Sequence, residues 1–418
     1  MSLGTSSDLA VDEADGAAAL LRTTDAVRQR AAHLLGRARA GKSSWFDVDD
    51  ASVPIAVTEV VDVTRQRYPE LNIPFHSRWR HFEAGGVDRK AELDARLSTL
   101  DAAARARAMI DLTVVSVLLD AGAGPDWHYD EAASGQRFAR SEGLGVATWN
   151  AFLDGVFSSD AGAPLRVDAR GLLDVTPARL AAAFQVGHDN PLVGIDGRVR
   201  LLHRLGEAMA VRAETFGPQG RPGGLFDRLT PQRGLATITA HDILSELLVS
   251  LSGIWLADNA IGEQRLGDCW RHDAVPGPGL TRGWVPFHKL SQWLTYSLLE
   301  PFEWAGVRVL GLDDLTALPE YRNGGLLLDT GVIRAREPGF LRSAWSVDAE
   351  PVVEWRALTV ALLDELAPLV RAGLGVDAMR MPLACVLEGG TWAAGRVLAQ
   401  RLRGGLPPFA IVSDGTVF

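Results

Sequence analysis

Residues 284–300 read Trp-Val-Pro-Phe-His-Lys-Leu-Ser-Gln-Trp-Leu-Thr-Tyr-Ser-Leu-Leu-Glu, and their spacing decides the fold class. On a helix, Leu290, Trp293, Leu294, Ser297 and Leu298 share one face, while Lys289, Gln292 and Tyr296 fall on another at i, i+3 and i+7. The ordinary reading of that second stripe is a solvated face. A segment so rich in Trp is expected to have little exposure, however, which favours a lined pocket.

Similar helical periodicity recurs along the chain. Asp101 caps a predicted helix carrying Ile110, Leu112, Val114, Val115, Leu118 and Leu119. Thr176-Pro177 is a cap followed by a first-turn proline. A further helix is expected over about 198–212, with Leu201, Leu202, Leu205 and Met209 on one face. Thr239 to Asp242 resembles a capping box, and residues 354–371 form an apolar helix for which Gly373 supplies a stop. Strand signals are confined to Val307–Leu310 and Phe409–Val412. The expected class is mainly α, with a few short strands, in one compact unit or two intimately packed lobes. Residues 1–18 read as a mobile tail and 19–418 as the catalytic domain.

The bulk composition narrows the function. Of 418 residues, 47% are hydrophobic and 22% charged, a soluble globular balance. A net charge of −10 argues against nucleic-acid binding and polybasic membrane docking. No apolar run is long enough for a membrane span, so the cytosol is the expected location. The Cys count of 2, at Cys269 and Cys385, gives no disulfide framework. Motifs for dinucleotides, nucleoside triphosphates, catalytic zinc or a serine elbow are missing, so no metal and no cofactor are expected.

Chemistry concentrates in a few clusters. The densest is 73–82, Ile-Pro-Phe-His-Ser-Arg-Trp-Arg-His-Phe, where Phe75, His76, Arg78, Trp79 and His81 stand together. Neither a helical nor a strand pattern hides so many cationic groups beside large aromatics, which suits a pocket wall; a salt-bridged structural turn is the alternative. Asp268 and Trp270 sit beside Arg271 and His272, and Glu320-Tyr321-Arg322 again joins acid, aromatic and cation. Acid beside Arg is most often a structural ion pair, but the recurrence within this part of the chain favours a site. In Glu388-Gly389-Gly390-Thr391-Trp392 the Gly pair is either a tight turn or a source of free N–H groups for phosphate. Ser413 to Thr416 reads as a turn.

Taken together, PFHSRWRHFEAGGVDR, FARSEGLGVA, LGDCWRH, VPFHKLSQWLTYSLLEP, LPEYRNGGLLLD, LEGGTWAAGR and IVSDGTVF resemble the Urc4/Urg3 uracil-catabolism family over nearly the whole chain from about residue 20. That resemblance implies a role in a non-reductive uracil breakdown route, with ribosylurea-type intermediates and release of urea. A more distant resemblance is to the queuosine-5′-phosphate nucleosidase (queuosine salvage) family, carried by Asp268, Phe287, Lys289, Gln292, Tyr321, Arg322 and Gly331-Val332. It implies a helical fold akin to helix-hairpin-helix glycosylases and cleavage of an N-glycosidic bond. Leu290 and Glu320 depart from its pattern, where that family has Arg and Asp.

These resemblances imply Asp268, Glu320 and Lys289 as catalytic residues. Phe75, His76, Arg78, Trp79, His81, Trp270, Gln292, Tyr321, Arg322, Glu388, Gly389, Gly390, Thr391 and Trp392 become expected substrate contacts. The expected partner is a small ribosyl or ureido compound, with or without a phosphate, and a homo-oligomer stays open. Two other readings remain: an amidohydrolase or ring-opening enzyme of the same route, and a non-catalytic binding protein.

Overall fold

The computed structural model describes residues 10–120, 122–231 and 237–412. Two compact units share them: unit one takes the chain through His76, Ala257–Gln292 and the segment from Leu312, and unit two takes Ser77–Leu256 and Trp293–Gly311. Both are mainly helical, with strands only in short pairs.

In unit one the long helix Glu350–Leu374 is the spine, packed against Thr24–Arg39 and Val53–Arg67. It starts earlier than the leucine pattern predicts and runs past Gly373; Gly375, at φ 72, ends it, because a left-handed cap needs the residue without a Cβ. Tyr321–Asp329 lies against Trp392–Arg403 so closely that a Cβ on Gly395 would stand 2.1 Å from the Arg322 carbonyl oxygen. Cys269–Arg271 pairs antiparallel with Trp284–Pro286, and that hairpin leads into the helix Lys289–Trp304.

The N-terminus departs from expectation. Helix Ala14–Leu21 buries Ala17, Ala18 and Leu21 against Ile261, Leu266, Cys269 and Trp284, so Ala17 and Ala18 belong to the core and Ala14 packs against it. An alanine stretch that looks featureless locally is fixed by the apolar surface it covers. The expected tail over 1–9 and the turn at Ser413 to Thr416 lie outside the described residues.

Unit two is built on Ala102–Leu118, which is buried nearly all round, with Arg140–Leu153, Ile195–Ala210 and Ala240–Leu251. The predicted caps form: Asp101 Oδ1 accepts from Ala104 N at 2.7 Å, and Thr176 Oγ1 from Arg179 N at 3.1 Å. Thr239 and Asp242 make the reciprocal box, at 2.8 and 3.0 Å. Arg308–Leu310, the predicted strand, pairs parallel with Thr237–Thr239. Among the described residues no helix is long and apolar enough to cross a membrane.

Candidate functional site

Asp268 organises the first half of the site. Its Oδ1 accepts from Trp270 Nε1 and Arg356 Nη1, both at 2.7 Å; its Oδ2 accepts from Arg356 Nη2 at 2.8 Å and from the Lys289 backbone N–H at 2.9 Å. Burial alone would raise this carboxyl, but the Arg356 charge and these bonds outweigh it and hold it below the usual range. The Asp268 carbonyl also accepts from Phe287 N and His288 N, at 2.9 and 3.1 Å. One residue thus clamps the whole turn that launches the 289–304 helix. Within that turn His288 is held at φ 48, a left-handed conformation that costs about 1–3 kcal/mol in a non-glycine residue. The surroundings enforce it: His288 Nε2 meets the Leu21 carbonyl at 2.9 Å.

Gln292, one turn on, is fully buried; it donates to the Phe287 carbonyl at 3.0 Å and to Thr316 Oγ1 at 2.6 Å, and accepts from Thr316 N at 2.7 Å. The polar stripe is therefore not a solvated face. Gln292 ties the helix start to the strand-like segment before Glu320, and Lys289 alone of the two keeps partial exposure.

Glu320 caps the helix Tyr321–Asp329, accepting from Arg322 N at 2.7 Å and Asn323 N at 2.6 Å. Burial pushes its carboxyl up, and the two N–H groups with the nearby charges of Lys289 and His76 offset this only in part. Tyr321 is 38% exposed beside it, with the buried Arg322 guanidinium 4.7 Å from its ring centroid and donating to the Gly405 carbonyl at 3.2 Å.

The third carboxylate is Glu388. Its Oε2 lies 2.9 Å from His76 Nδ1, and its Oε1 accepts from Arg67 Nη2 at 2.9 Å and from the Tyr68 hydroxyl at 3.3 Å. Burial would raise it, but the bond and charge of His76, followed by Arg67, hold it down. With Glu388 ionised, Nδ1 is the ring nitrogen that turns its proton toward the carboxylate. Trp392 flanks this pair, its ring centroid 6.3 Å from that of His76.

The Gly389-Gly390 pair is neither of the two alternatives its sequence left open, a tight turn or a phosphate-binding helix start. Leu387–Thr391 is a π-helical turn between Leu383–Val386 and Trp392–Arg403, so its N–H groups lie inside a helix rather than at its start. Glycine is required there by close approach: a Cβ on Gly390 would stand 2.4 Å from Thr64 Oγ1 and 2.5 Å from Val60 Cγ1. The extra residue of the π turn sits where Glu388 reaches His76. Thr391 is buried beside it.

In unit one His76 thus meets Glu388 at 2.9 Å, the charges of His76 and Lys289 act on Glu320, and Asp268, Trp270 and Gln292 brace the Lys289 turn. Phe75 precedes His76 and is half-buried. Arg78, Trp79 and His81 belong to unit two. There Trp79 is a packing residue, 1% exposed, edge-on to Trp304 at 4.7 Å and donating from Nε1 to the Ser297 carbonyl at 3.2 Å. The sequence reading missed Arg67, Tyr68 and Arg356. A lone Arg356 in the apolar run Trp-Arg-Ala-Leu-Thr-Val was the available signal, since a buried guanidinium demands a partner. Among the described residues no group of three His, Cys, Asp or Glu side chains is placed to hold a metal ion.

Comparison with known proteins agrees with this geometry's whole-chain character. The family described as "Protein of unknown function (DUF1688)" matches residues 20–418. The chain belongs to the DUF1688 family. Within the family's reach, it is 37% identical over 401 residues to "Protein urg3" of Schizosaccharomyces pombe, covering 94% of this chain and 96% of that protein. It is 38% identical over 378 residues to "Uracil catabolism protein 4" of Lachancea kluyveri, covering 83% and 85%. All the DUF1688 site residues named above lie within the family match.

Proposed function

We propose that this DUF1688 protein acts in uracil catabolism as a hydrolase that cleaves the C1′–N bond of a ribosylurea-type compound, giving urea and the sugar or its 5-phosphate. The relative named "Uracil catabolism protein 4" supports the metabolic setting. One observation carries the chemistry: two carboxylates in one unit are biased in opposite directions, Glu320 upward and Glu388 downward. Such a split is how a single site holds an acid and an ionised partner at the same pH.

In this reading Glu320, whose burial favours the protonated form, gives its proton to the departing urea nitrogen as the C1′–N bond breaks. His76 Nε2 takes a proton from the water that attacks C1′, and ionised Glu388 stabilises the imidazolium that results. The proton lost from water replaces the one spent by Glu320, so the site returns to its starting state. Charge that develops on the ribose is stabilised by Glu388 and by the fixed negative charge of Asp268. Lys289 holds sugar hydroxyls or a 5′-phosphate, and Tyr321 and Trp392 offer flat surfaces to the sugar and ureido groups. Asp268, with both oxygens occupied, also positions Lys289.

The test is to incubate the protein with ribosylurea, ribosylurea 5′-phosphate and uridine monophosphate, and to assay urea, free base and reducing sugar. Release of urea and sugar in equal amounts from a ribosylurea is expected. No release from any of them, or full activity in Glu320→Gln, would end the assignment.

A further inference from the structure

Unit two carries a cavity of about 440 Å³, and none of its lining residues belongs to the acid–base site. Its volume lies within the range of about 300–1,000 Å³ in which proteins hold small molecules. The space is open: Gly217 lines it, and a Cβ on that residue would meet no heavy atom within 4 Å beyond its chain neighbours.

Three arginines from separate parts of the fold line this cavity: Arg107 on the helix Ala102–Leu118, Arg221 on a loop, and Arg228 on the short helix Gly224–Leu229. Each is held from one side by a carboxylate. Arg107 grips Asp227 through Nε and Nη2, at 2.9 and 3.1 Å. Arg221 grips Asp111 through the same two nitrogens, at 3.1 and 2.7 Å, and Arg228 donates from Nε to Glu246 at 3.3 Å. A guanidinium fixed along its Nε–Nη2 edge keeps the N–H groups of its Nη1–Nη2 edge for a further pair of acceptor atoms. Among the described residues, no Nη1 of the three donates to a protein acceptor, and neither does Nη2 of Arg228.

The acids nearby do not cancel that offer. Asp111 and Glu246 are not among the lining residues, and Asp111 is wholly buried with both oxygens taken, one by Arg221 and Val167 N, the other by Gly223 N. Asp227 lines the cavity, but Arg107 occupies both of its oxygens. Glu214 is the remaining acid in the wall; its side chain is exposed, so water screens its charge. The wall therefore presents three cationic edges against one uncommitted carboxylate.

The number of edges selects the guest. A carboxylate has two oxygens and fills one such edge, whereas a phosphate monoester brings three strong acceptor oxygens that several edges can share. The volume also exceeds what the phosphate group alone would fill, which leaves room for the ester's body.

We propose that Arg107, Arg221 and Arg228 form a binding site in unit two for a small phosphate monoester. The site stands apart from the hydrolase reading, because none of its residues takes part in that chemistry.

The test is a calorimetric titration of the full chain at low salt with phenyl phosphate, and with benzoate, which carries the same ring on a carboxylate. Phenyl phosphate is expected to bind saturably and at least about tenfold more tightly than benzoate. Arg107→Gln and Arg228→Gln are each expected to weaken phenyl phosphate at least about tenfold, in line with the loss of a charge-assisted hydrogen-bonding edge. Both side chains are partly exposed and pair with their acids near the surface, so thermal unfolding of these variants should match the parent. Arg221 is left in place because it holds the buried Asp111. Absence of saturable binding, equal affinity for benzoate, or parental affinity in either variant would overturn the site. A failed urea-release assay would leave this result untouched.

Discussion

Arg356 grips Asp268 with both terminal guanidinium nitrogens, at 2.7 and 2.8 Å, where each side chain is almost completely buried. The pair links the spine helix of unit one to the turn that carries Lys289. Breaking it by Arg356→Met strands a buried carboxylate and is expected to cost about 3–5 kcal/mol. Urea unfolding measures this. Adding Asp268→Asn to Arg356→Met should give a total loss smaller than the sum of the single losses, since the partners share one interaction.

The two site carboxylates predict opposite pH effects on stability. Glu388 is held below its ordinary value of 4.5, so the stability it contributes is present above that value and lost as pH falls through its depressed folded value. Glu320 is raised above 4.5, so its contribution is intact below that value and lost as pH rises through its folded value. Stability curves from urea unfolding across this range should therefore flatten on the acid side in Glu388→Gln. In Glu320→Gln the loss relative to the parent should instead be larger at low pH than near neutrality.

Trp79→Ala removes a buried indole that packs on Phe82 and Trp304. Such a cavity costs about 3–5 kcal/mol. Thermal unfolding should show that loss, and the surviving folded fraction should keep its affinity for substrate, as expected of a packing residue.

Gly395→Ala tests how tightly the helix Trp392–Arg403 is seated. The new Cβ would meet the Arg322 backbone at 2.1 Å, and a backbone cannot step aside as a flexible side chain can. Destabilisation of at least about 1–3 kcal/mol is expected by thermal unfolding, although alanine is the better helix former.

How much of this was legible beforehand depends on range. Asp101, Thr176 and Thr239 cap the helices they were expected to cap, because a cap bonds to residues only a few positions away. Glu320 was visible as an acid among an aromatic and a cation. Its cap geometry and raised carboxyl were not, since they depend on what surrounds Tyr321–Asp329. Gly389-Gly390 misled because two adjacent glycines read as a break, whereas their purpose is close contact with Thr64 and Val60, over three hundred residues away in sequence. His76 and Glu388 were singled out separately, but nothing local joins them. The dense run at 73–82 proved to be divided, His76 closing the first segment of unit one and Ser77 opening unit two.

The central claim is that Glu320 protonates the leaving nitrogen, and one comparison tests it most directly. Ribosylurea needs that proton, whereas p-nitrophenyl riboside has a leaving group that departs without one. Glu320→Gln is predicted to lower urea release from ribosylurea by about 10²-fold or more while p-nitrophenol release stays within about tenfold of the parent. Equal losses on both substrates, or no loss on ribosylurea, would contradict the assignment of Glu320 as the acid.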